Sequence, residues 1–415
     1  MDQVNEYDYE FSPEALLSVD IPPMAAARMH RLPPYLFGRI NALKHSLRQN
    51  GVDIIDLGMG NPTDPTPDLI VEKLREAVGD KRNQRYSASQ GIYNLRRELA
   101  VFYQKQWGVE LDPASEAIAT IGTKEGFSHL CLATLGPGDV ALTLTPAFPI
   151  HIYAPVIAGA NVIGISIMEG DEALLRKISE MCRTVSPRPK IVILNFPHNP
   201  TTRTVEIGFF EEIVRLAKRF GFYVIHDFAY GLTTFDGYKA PSFLQVPGAK
   251  DVGVESLTMS KGYNMAGWRI GFVAGNADMV HLLSAIKGYY DYGIFQAIQI
   301  ATVIALRHCE EDMRRQARVY EQRRDVLCEG LSRAGWEIEP PKATMFAWVK
   351  IPEPYRAMGS IEFAMQCLQK AEVAVAPGRG FGEDGEGYLR VALVENEQRL
   401  RQAVRQIRRA FPVDG

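Results

Sequence analysis

Short apolar runs alternate with helical patterns over the middle of the chain, from about residue 118 to residue 275. The runs are continuously apolar and rich in β-branched residues, which is typical of strands buried on both faces. They read AIATIG, VALTLT, NVIGISI, IVILN, FYVIHD, SLTMS and RIGFVAG. Helical patterns lie between them, for example near residues 171–183 and 206–220. This alternation predicts an α/β fold with a mostly parallel mixed sheet between layers of helices.

The pattern changes after Asp278. A long apolar helical stretch interrupted at Gly293 leads into a charged helix that ends at Gly335, and glycine is a common residue at a helix C-terminus. The remaining residues contain the runs TMFAWVKI, VAVAP and GYLRVALV, together with a helix from Ser360 and a basic closing helix. These elements predict a smaller α+β domain.

A chain of 415 residues usually has more than one hydrophobic core. We expect residues 1–50 to form an N-terminal arm and part of a small domain. Residues 51–295 are expected to form a large domain, and residues 296–415 a small C-terminal domain. Proline pairs at residues 22–23 and 33–34 predict an extended arm that lies on another surface, such as that of a partner subunit.

Composition narrows the function classes. The chain is 46% hydrophobic with a net charge of −3, which is ordinary for a soluble globular protein and argues against nucleic acid as the main partner. The acidic opening does not look like a secretion signal, and no apolar run approaches the ~18 residues of a membrane span. Five cysteines form no C-x-x-C motif, so we expect reduced thiols in a cytoplasmic protein.

Four polar segments sit at predicted strand ends or in the turns just beyond them. An open α/β sheet binds its ligand at the carboxyl edge of the strands, so the four segments predict one crevice. They are Gly122-Thr123-Lys124, residues 195–202, residues 226–230 and Ser260-Lys261.

Asp227 and Asn199 each allow two interpretations. An aspartate that closes an apolar strand can cap a following helix, or it can pair with a buried cation such as a protonated pyridine nitrogen. In the second case Tyr230 would lie near the same ring, on one face of a helix. The segment NFPHNPTT is either a rigid turn or a support that lets Asn199 donate to a phenolate oxygen.

The segment GTKEGF follows a strand and opens a helix, where backbone amides and the helix dipole favour an anion. It is not the phosphate loop that ends in Gly-Lys-Ser/Thr, and the chain contains no G-x-G-x-x-G and no G-x-S-x-G motif. A nicotinamide dehydrogenase and a serine hydrolase are therefore disfavoured. No group of potential ligands has the spacing of a metal site.

Lys261 follows a β-rich run, and Arg269 supplies a second positive charge nearby. Desolvation and a neighbouring cation both favour loss of the ammonium proton. Lys261 is therefore suited to condense with an aldehyde, while Ser260 and Arg269 can hold a phosphate on the same molecule.

These motifs, in this order from LGMGNP at 57 to GYLRVALVEN at 387, resemble those of the class I and II aminotransferases of fold type I. The resemblance implies pyridoxal 5′-phosphate as the cofactor, held by the large domain. It implies that Lys261 carries the cofactor and that Asp227 pairs with the ring nitrogen. Asn199 and Tyr230 are implied to donate to the phenolic oxygen.

The resemblance implies further site residues. Thr123, Lys124 through its backbone, Ser260 and Arg269 resemble the phosphate-binding residues of the family. Tyr86 is similar to the tyrosine that reaches the phosphate of the neighbouring subunit, so a homodimer with shared active sites is implied.

Substrate residues are implied as well. Phe148 sits where the family places an aromatic ring over the cofactor, often Tyr or Trp. Arg390 resembles the arginine that binds the substrate α-carboxylate, and Gly60 the glycine that leaves room for it. The implied substrates are an L-amino acid and a 2-oxo acid, exchanged in a ping-pong cycle.

The substrate pair is left open by the motifs. RLPPYLFGRI, SKGYNMAGWRIGF and ALVEN look most like the alanine and glutamate-pyruvate branch, with the LL-diaminopimelate branch close by. We expect alanine and 2-oxoglutarate, with methionine, aspartate or LL-diaminopimelate as alternatives. A carbon-sulfur β-lyase and a non-catalytic regulator that binds the cofactor are the alternatives from other classes.

Overall fold

A computed structural model of the chain describes residues 21–34 and 36–413. Residues 1–20 of the predicted arm, with their acidic opening, and Tyr35 lie outside the described residues. Within the described part, no helix combines the length and the apolar character needed to cross a bilayer.

The described residues form twelve strands and fourteen α-helices. The strands are β1 (Ile55–Asp56), β2 (Ala117–Thr120), β3 (Val140–Thr145), β4 (Asn161–Ser166), β5 (Ile191–Asn195), β6 (Tyr223–Asp227), β7 (Gly253–Thr258), β8 (Gly271–Gly275), β9 (Phe346–Lys350), β10 (Val373–Ala374), β11 (Ala376–Pro377) and β12 (Tyr388–Ala392). The helices are α1 (Leu36–Gln49), α2 (Asp68–Gly79), α3 (Tyr93–Trp107), α4 (Thr123–Thr134), α5 (Pro149–Ile157), α6 (Asp171–Thr184), α7 (Ile207–Phe220), α8 (Ala249–Val252), α9 (Met259–Gly262), α10 (Ala277–Tyr290), α11 (Gln296–His308), α12 (Glu310–Arg333), α13 (Ser360–Ala371) and α14 (Glu397–Ala410).

Seven strands form the central sheet in the order β2-β8-β7-β6-β5-β3-β4. Neighbours from β7 to β4 run parallel, whereas β8 is antiparallel to both β2 and β7. The predicted mostly parallel mixed sheet is therefore confirmed. Successive side chains of a strand point to opposite faces, so Val192 and Ile193 of β5 enter two different apolar cores, one on each side of the sheet.

The strand ends set the position of the polar side chains. In the parallel register, Asn195 of β5 lies beside Asp227 of β6, and Asp227 lies beside Ser256 of β7. Asn195 and Asp227 therefore lie side by side at the carboxyl edge of the sheet, as the sequence predicts, and Ser256 is the neighbour of Asp227 on the next strand.

A second core lies in the C-terminal part of the chain. The antiparallel sheet β11-β12-β9 packs with α13, α14 and the second half of α12. Helix α12 joins the two cores, because Met313 packs in the larger core and Leu327 in the smaller one. Strand β1 pairs with β10, so Ile55 also belongs to the smaller core. The domain limits at residues 51 and 295 stay predictions.

Candidate active site

A cavity of about 510 Å³ opens at the carboxyl edge of the central sheet. Residues of the central sheet and of the C-terminal sheet line it. Eleven of the twelve residues predicted for the site are among the lining residues: Gly60, Thr123, Lys124, Phe148, Asn199, Asp227, Tyr230, Ser260, Lys261, Arg269 and Arg390. Tyr86 is not among them.

Lys261 lies on the short helix α9, directly after β7. Its Nζ donates to the backbone oxygen of Gly60 at 2.8 Å, and no carboxylate of the described residues pairs with it. Burial of the amine, followed by the charges of Arg390 and Arg269, lowers the pKa of Lys261 from 10.5 to about 8. The amine therefore loses its proton more readily than an ordinary lysine, as a nucleophile or a base requires.

Asp227 ends β6 and is buried. Its Oδ2 lies 2.9 Å from Nε2 of His151, and its Oδ1 accepts a hydrogen bond from Ser256 at 3.3 Å. No α-helix follows β6 until Ala249, so the interpretation of Asp227 as a helix cap is wrong. Asp227 lines the cavity, where its carboxylate can pair with a cationic group of a ligand.

Arg390 projects from β12 into the same cavity. Its Nη1 donates to Oδ1 of Asn199 at 2.9 Å, and its Nη2 donates to the backbone oxygen of Gly58 at 3.1 Å. The guanidinium carbon lies 4.1 Å from the ring centre of Phe346 and 4.6 Å from that of Phe381. Two aromatic rings and two hydrogen bonds thus orient a planar cationic group that matches a carboxylate.

Gly60 lies where a side chain cannot fit. A Cβ atom on Gly60 would come 2.4 Å from Cζ of Phe346, which packs against the guanidinium of Arg390. Any larger residue would move the ring or the arginine.

Asn199 and Tyr230 face the cavity from two turns. The backbone N–H of Asn199 donates to Oδ1 of Asn195 at 2.9 Å, which ties the turn to the end of β5. Tyr230 is buried, and burial raises the pKa of its hydroxyl, so this group stays a donor. Tyr230 lies in a turn, so the helical face expected for it is wrong, although the residue does reach the cavity with Asp227.

The far end of the cavity is suited to an anion. Helix α4 begins at Thr123, and the amides of a first helical turn have no partner within the helix. Arg269 is exposed, donates to the backbone oxygen of Ala266 at 2.9 Å, and pairs with no carboxylate of the described residues. Ser260 lines the same cavity, and its hydroxyl accepts a hydrogen bond from that of Thr258 at 2.9 Å. Together these groups can hold a phosphate dianion.

The site residues fit pyridoxal phosphate. The cavity has an amine of lowered pKa, a buried carboxylate and groups that can bind an anion, and the aromatic ring of Phe148 also lines it. The side chain of Lys124 is exposed, which is compatible with the expected contribution through its backbone.

A cluster of three ionisable side chains close to the N-terminus of α4 was not indicated by the spacing of residues in the sequence. Glu125, His129 and Asp291 converge within a distance that could hold a metal ion. However, Nζ of the fully buried Lys287 lies 3.0 Å from Glu125 and 3.1 Å from Asp291. The lysine already supplies the cation that this group needs.

Tyr86 is 85% exposed and lies on the surface, with its ring centre 4.8 Å from that of Tyr292. Tyr289 and Tyr290 are also exposed close to Tyr292 in the sequence. Several large aromatic side chains on one stretch of surface are typical of an interface with another chain.

Some residues at the site were not indicated by the sequence motifs. His151 and Ser256 contact Asp227 but lie outside the motif singled out for it, and Phe381 packs on Arg390 from the end of a 3-10 helix, Gly378–Phe381. The alternation of β7 could have indicated Ser256, since it pairs with Asp227 across the sheet. Further lining residues to which the sequence gave no individual role are Met59, Asn61, Asn195, Ala229, Thr258 and Ala266, of which Asn195 and Ala229 belong to segments predicted for the crevice.

Comparison with known proteins gives a consistent set of relatives. Residues 52–407 match the family model of aminotransferases of class I and II. The chain is 50% identical to the glutamate-pyruvate aminotransferase AlaC of Escherichia coli, over 95% of each chain. It is 41% identical to an LL-diaminopimelate aminotransferase of Moorella thermoacetica, over 93% of this chain and 98% of the relative.

Solved structures of other proteins share the fold of this chain. Substrate-bound BacF of Bacillus subtilis superposes with a TM-score of 0.87 at 31% identity, covering 94% of this chain and 98% of BacF. The aspartate aminotransferase of Thermus thermophilus with maleate superposes with a TM-score of 0.85 at 26% identity, covering 93% and 99%.

Proposed function

The chain belongs to the aminotransferases of class I and II, and from this premise we propose that it transfers the amino group of alanine to 2-oxoglutarate, with Lys261, Asp227 and Arg390 as its central residues. It is a pyridoxal-phosphate-dependent aminotransferase with the fold-type-I architecture of its structural neighbours. The observation that carries the assignment of residues is the convergence of these three side chains on one cavity.

Binding of the cofactor uses both ends of the cavity. Thr123, Ser260, Arg269 and the backbone of Lys124 would hold the phosphate, and the presence of all four residues in the cavity lining supports this. Phe148 stacks on the ring; a phenylalanine can stack but offers no hydrogen bond.

The ring itself is held by three polar side chains. Asp227 keeps the proton on the ring nitrogen, supported by its contacts with His151 and Ser256. Asn199 and Tyr230 donate to the phenolic oxygen.

Bound pyridoxal phosphate supplies an aldehyde that accepts the amino group and a protonated ring that stores the electrons of the broken Cα–H bond. Lys261 would hold the cofactor through its amine, and the same amine, once free, would be the base that moves a proton from Cα of the substrate to C4′. The lowered pKa of Lys261 supports this role, because the amine acts as a base only in its unprotonated form, and this form is more populated than in an ordinary lysine.

Arg390 binds the α-carboxylate of both the amino donor and the oxo acid. Its fork is oriented by Asn199 and by the rings of Phe346 and Phe381, which support one fixed geometry for two successive substrates. Gly60 leaves room for the bound carboxylate.

Alanine and 2-oxoglutarate are favoured by the 50% identity with a glutamate-pyruvate aminotransferase. An LL-diaminopimelate aminotransferase is the second candidate, at 41% identity. A screen of amino donors with 2-oxoglutarate distinguishes them: alanine should give the highest kcat/KM, and a preference for LL-diaminopimelate would contradict our choice. A β-lyase would release its product without any 2-oxo acid.

Reduction of the holoenzyme with borohydride, followed by peptide mapping, tests the site itself. The pyridoxyl group should appear on Lys261. A label on another lysine would show that Lys261 does not carry the cofactor, whatever the substrate.

A homodimer with shared sites belongs to the proposal. Exposed Tyr86 and Tyr292 support it, because Tyr86 does not reach the cavity of its own chain. A cytoplasmic location is supported by five buried free cysteines.

A further inference from the structure

A buried polar pair lies on the face of the central sheet opposite to Asp227. His226 precedes Asp227 on β6 and is fully buried, as is Glu255, its neighbour on β7. Nδ1 of His226 lies 2.9 Å from Oε2 of Glu255. None of the roles given above uses this pair.

Glu255 is surrounded by donors. Its Oε1 accepts from the hydroxyls of Tyr103 at 3.0 Å and Ser242 at 2.8 Å, and its Oε2 accepts from the backbone N–H of Phe243 at 2.8 Å. Burial, followed by the negative charge of Glu255, raises the pKa of Tyr103, which keeps that hydroxyl a donor. The carboxylate therefore acts as an acceptor towards all its neighbours, and Nδ1 of His226 carries a proton.

The other ring nitrogen of His226 holds the main chain of Phe196. Nε2 lies 3.2 Å from the backbone nitrogen of Phe196 and 3.0 Å from its backbone oxygen. A neutral ring accepts from the N–H, and a protonated ring donates to the oxygen. In both states His226 fixes the residue at which β5 passes into the turn that carries Asn199.

That turn reaches the substrate side of the cavity. Asn199 lies three residues after Phe196 and accepts a hydrogen bond from Nη1 of Arg390. We propose that His226, held by Glu255, is a positioning residue for transamination: by fixing Phe196 it places Asn199 against the cofactor and against Arg390. This inference rests on the roles proposed above for Asn199 and Arg390.

Stability alone does not require the pair. The rings of Phe210, Phe228 and Phe243 surround His226 at 4.9, 5.2 and 6.4 Å between centres. An apolar side chain could pack among these rings, and buried ionic pairs are often no more stabilising than apolar replacements. What an apolar residue cannot supply is the directed contact with the backbone of Phe196.

The test compares His226→Phe with Tyr103→Phe in the holoenzyme. Both changes remove a donor from Glu255, but the hydroxyl of Tyr103 bonds to Glu255 and not to the backbone of Phe196. Three quantities are measured: the melting temperature, the dissociation constant of the unreactive carboxylate propionate, and the midpoint of the pH titration of the cofactor's visible absorbance.

We expect His226→Phe to weaken propionate binding about three- to tenfold, as for one hydrogen bond lost. The absorbance midpoint should rise by about half a pH unit or more, because a donor to the ionised phenolic oxygen is displaced. His226→Gln, which keeps polar atoms in this place, should recover part of both effects. Tyr103→Phe should lower the melting temperature but should change neither the affinity for propionate nor the absorbance midpoint.

A lowered melting temperature of His226→Phe with unchanged propionate affinity and midpoint would overturn the inference, because the pair would then be structural only. A shift of the midpoint without weaker propionate binding would point to adjacent Asp227 and would also overturn it. If His226→Phe does not fold, Glu255→Gln tests the same step and should move both quantities in the same directions.

Asn199→Ala separates this inference from the proposed function. If Asn199→Ala moves both quantities and His226→Phe moves neither, the positioning role is wrong while the role of Asn199 stands. If Asn199→Ala moves neither, the role of Asn199 is itself wrong, and the inference falls with it.

Discussion

The surroundings of Lys261 suit the role proposed for its amine, but they lower the stability of the folded apo protein when the amine is protonated. Burial and the charges of Arg390 and Arg269 lower its pKa from 10.5 to about 8. Between these pH values the unfolded chain binds more protons than the folded protein, so the free energy of unfolding rises with pH across this window. Below about pH 8 the folded apo protein must hold an ammonium in a place that disfavours it.

Replacement of Lys261 by methionine should therefore stabilise the apo protein at pH 7 by roughly 2 kcal/mol, a value reduced from the full pKa difference because the residue is partly exposed. The gain should disappear as the pH rises from 8 to above 10. Urea unfolding at several pH values measures it. Lys370→Met is the control, since the side chain of Lys370 is exposed and its replacement should change the free energy of unfolding little.

Arg390→Lys tests the geometry of a single guanidinium. Lysine keeps the charge but loses the fork, so two charge-assisted hydrogen bonds of roughly 1.5–3 kcal/mol each are lost, and kcat/KM should fall at least about a hundredfold. Both half-reactions should fall together, with the visible spectrum of the cofactor nearly unchanged. The same change at the exposed Arg379 should have little effect.

Single-turnover kinetics of each half-reaction test whether Arg390 binds the α-carboxylate of both substrates. If Arg390→Lys impaired only one half-reaction, or emptied the site of cofactor, Arg390 would not be the common binder of the α-carboxylate.

At the scale of elements, the N-terminus of α4 depends on its cap. Gly122 has a φ of +73°, and a Cβ atom there would lie 2.4 Å from Nη2 of Arg269. The backbone conformation and the nearby arginine therefore both require glycine, and they do so where the phosphate is proposed to bind.

Gly122→Ala should lower stability through backbone strain and should also displace Arg269, so the cofactor should dissociate faster. Gly170 provides a matched control, because it caps α6 with a φ of +101° and a Cβ atom there would meet no other atom within 4 Å. Gly170→Ala should cost similar stability, roughly 1 kcal/mol or more, with normal cofactor retention. If both variants retained the cofactor equally well, Gly122 at the start of α4 would have no role in binding the phosphate.

At the scale of the whole molecule, the site of one chain is proposed to be completed by Tyr86 of a second copy. The exposed ring of Tyr86 lies outside the cavity of its own chain. Hybrid dimers of a Lys261→Ala chain with a Tyr86→Ala chain test this arrangement.

In such a hybrid, one site keeps both Lys261 of its own chain and Tyr86 of the partner, and it should recover about half the activity of the normal dimer. Assays at limiting cofactor, against the two parent variants, measure the recovery. Absence of recovery would mean that Tyr86 acts within its own chain or not at the site.

Much of the fold follows from local pattern. The apolar runs of β3 and β5 and the glycine stop after α12 depend on residues close together in sequence, so both could be predicted. The pairing of β1 with β10 could not, because it joins two-residue strands more than three hundred residues apart. Tyr230 follows Asp227 by three residues, a spacing that predicts an α-helix in which both side chains share one face. In the structure this segment is a non-helical turn instead.

The sequence by itself determined the alternation of strands and helices and, through its motifs, the family, the cofactor and eleven residues that line the cavity. Only the tertiary structure decided what surrounds them. Arg390 meets Asn199 from 191 positions away, and His151 reaches Asp227 from 76 positions away. Hydrophobic periodicity reports how a segment is buried, but not against which segment. Such contacts are set by the close packing of the whole chain, which no local pattern contains.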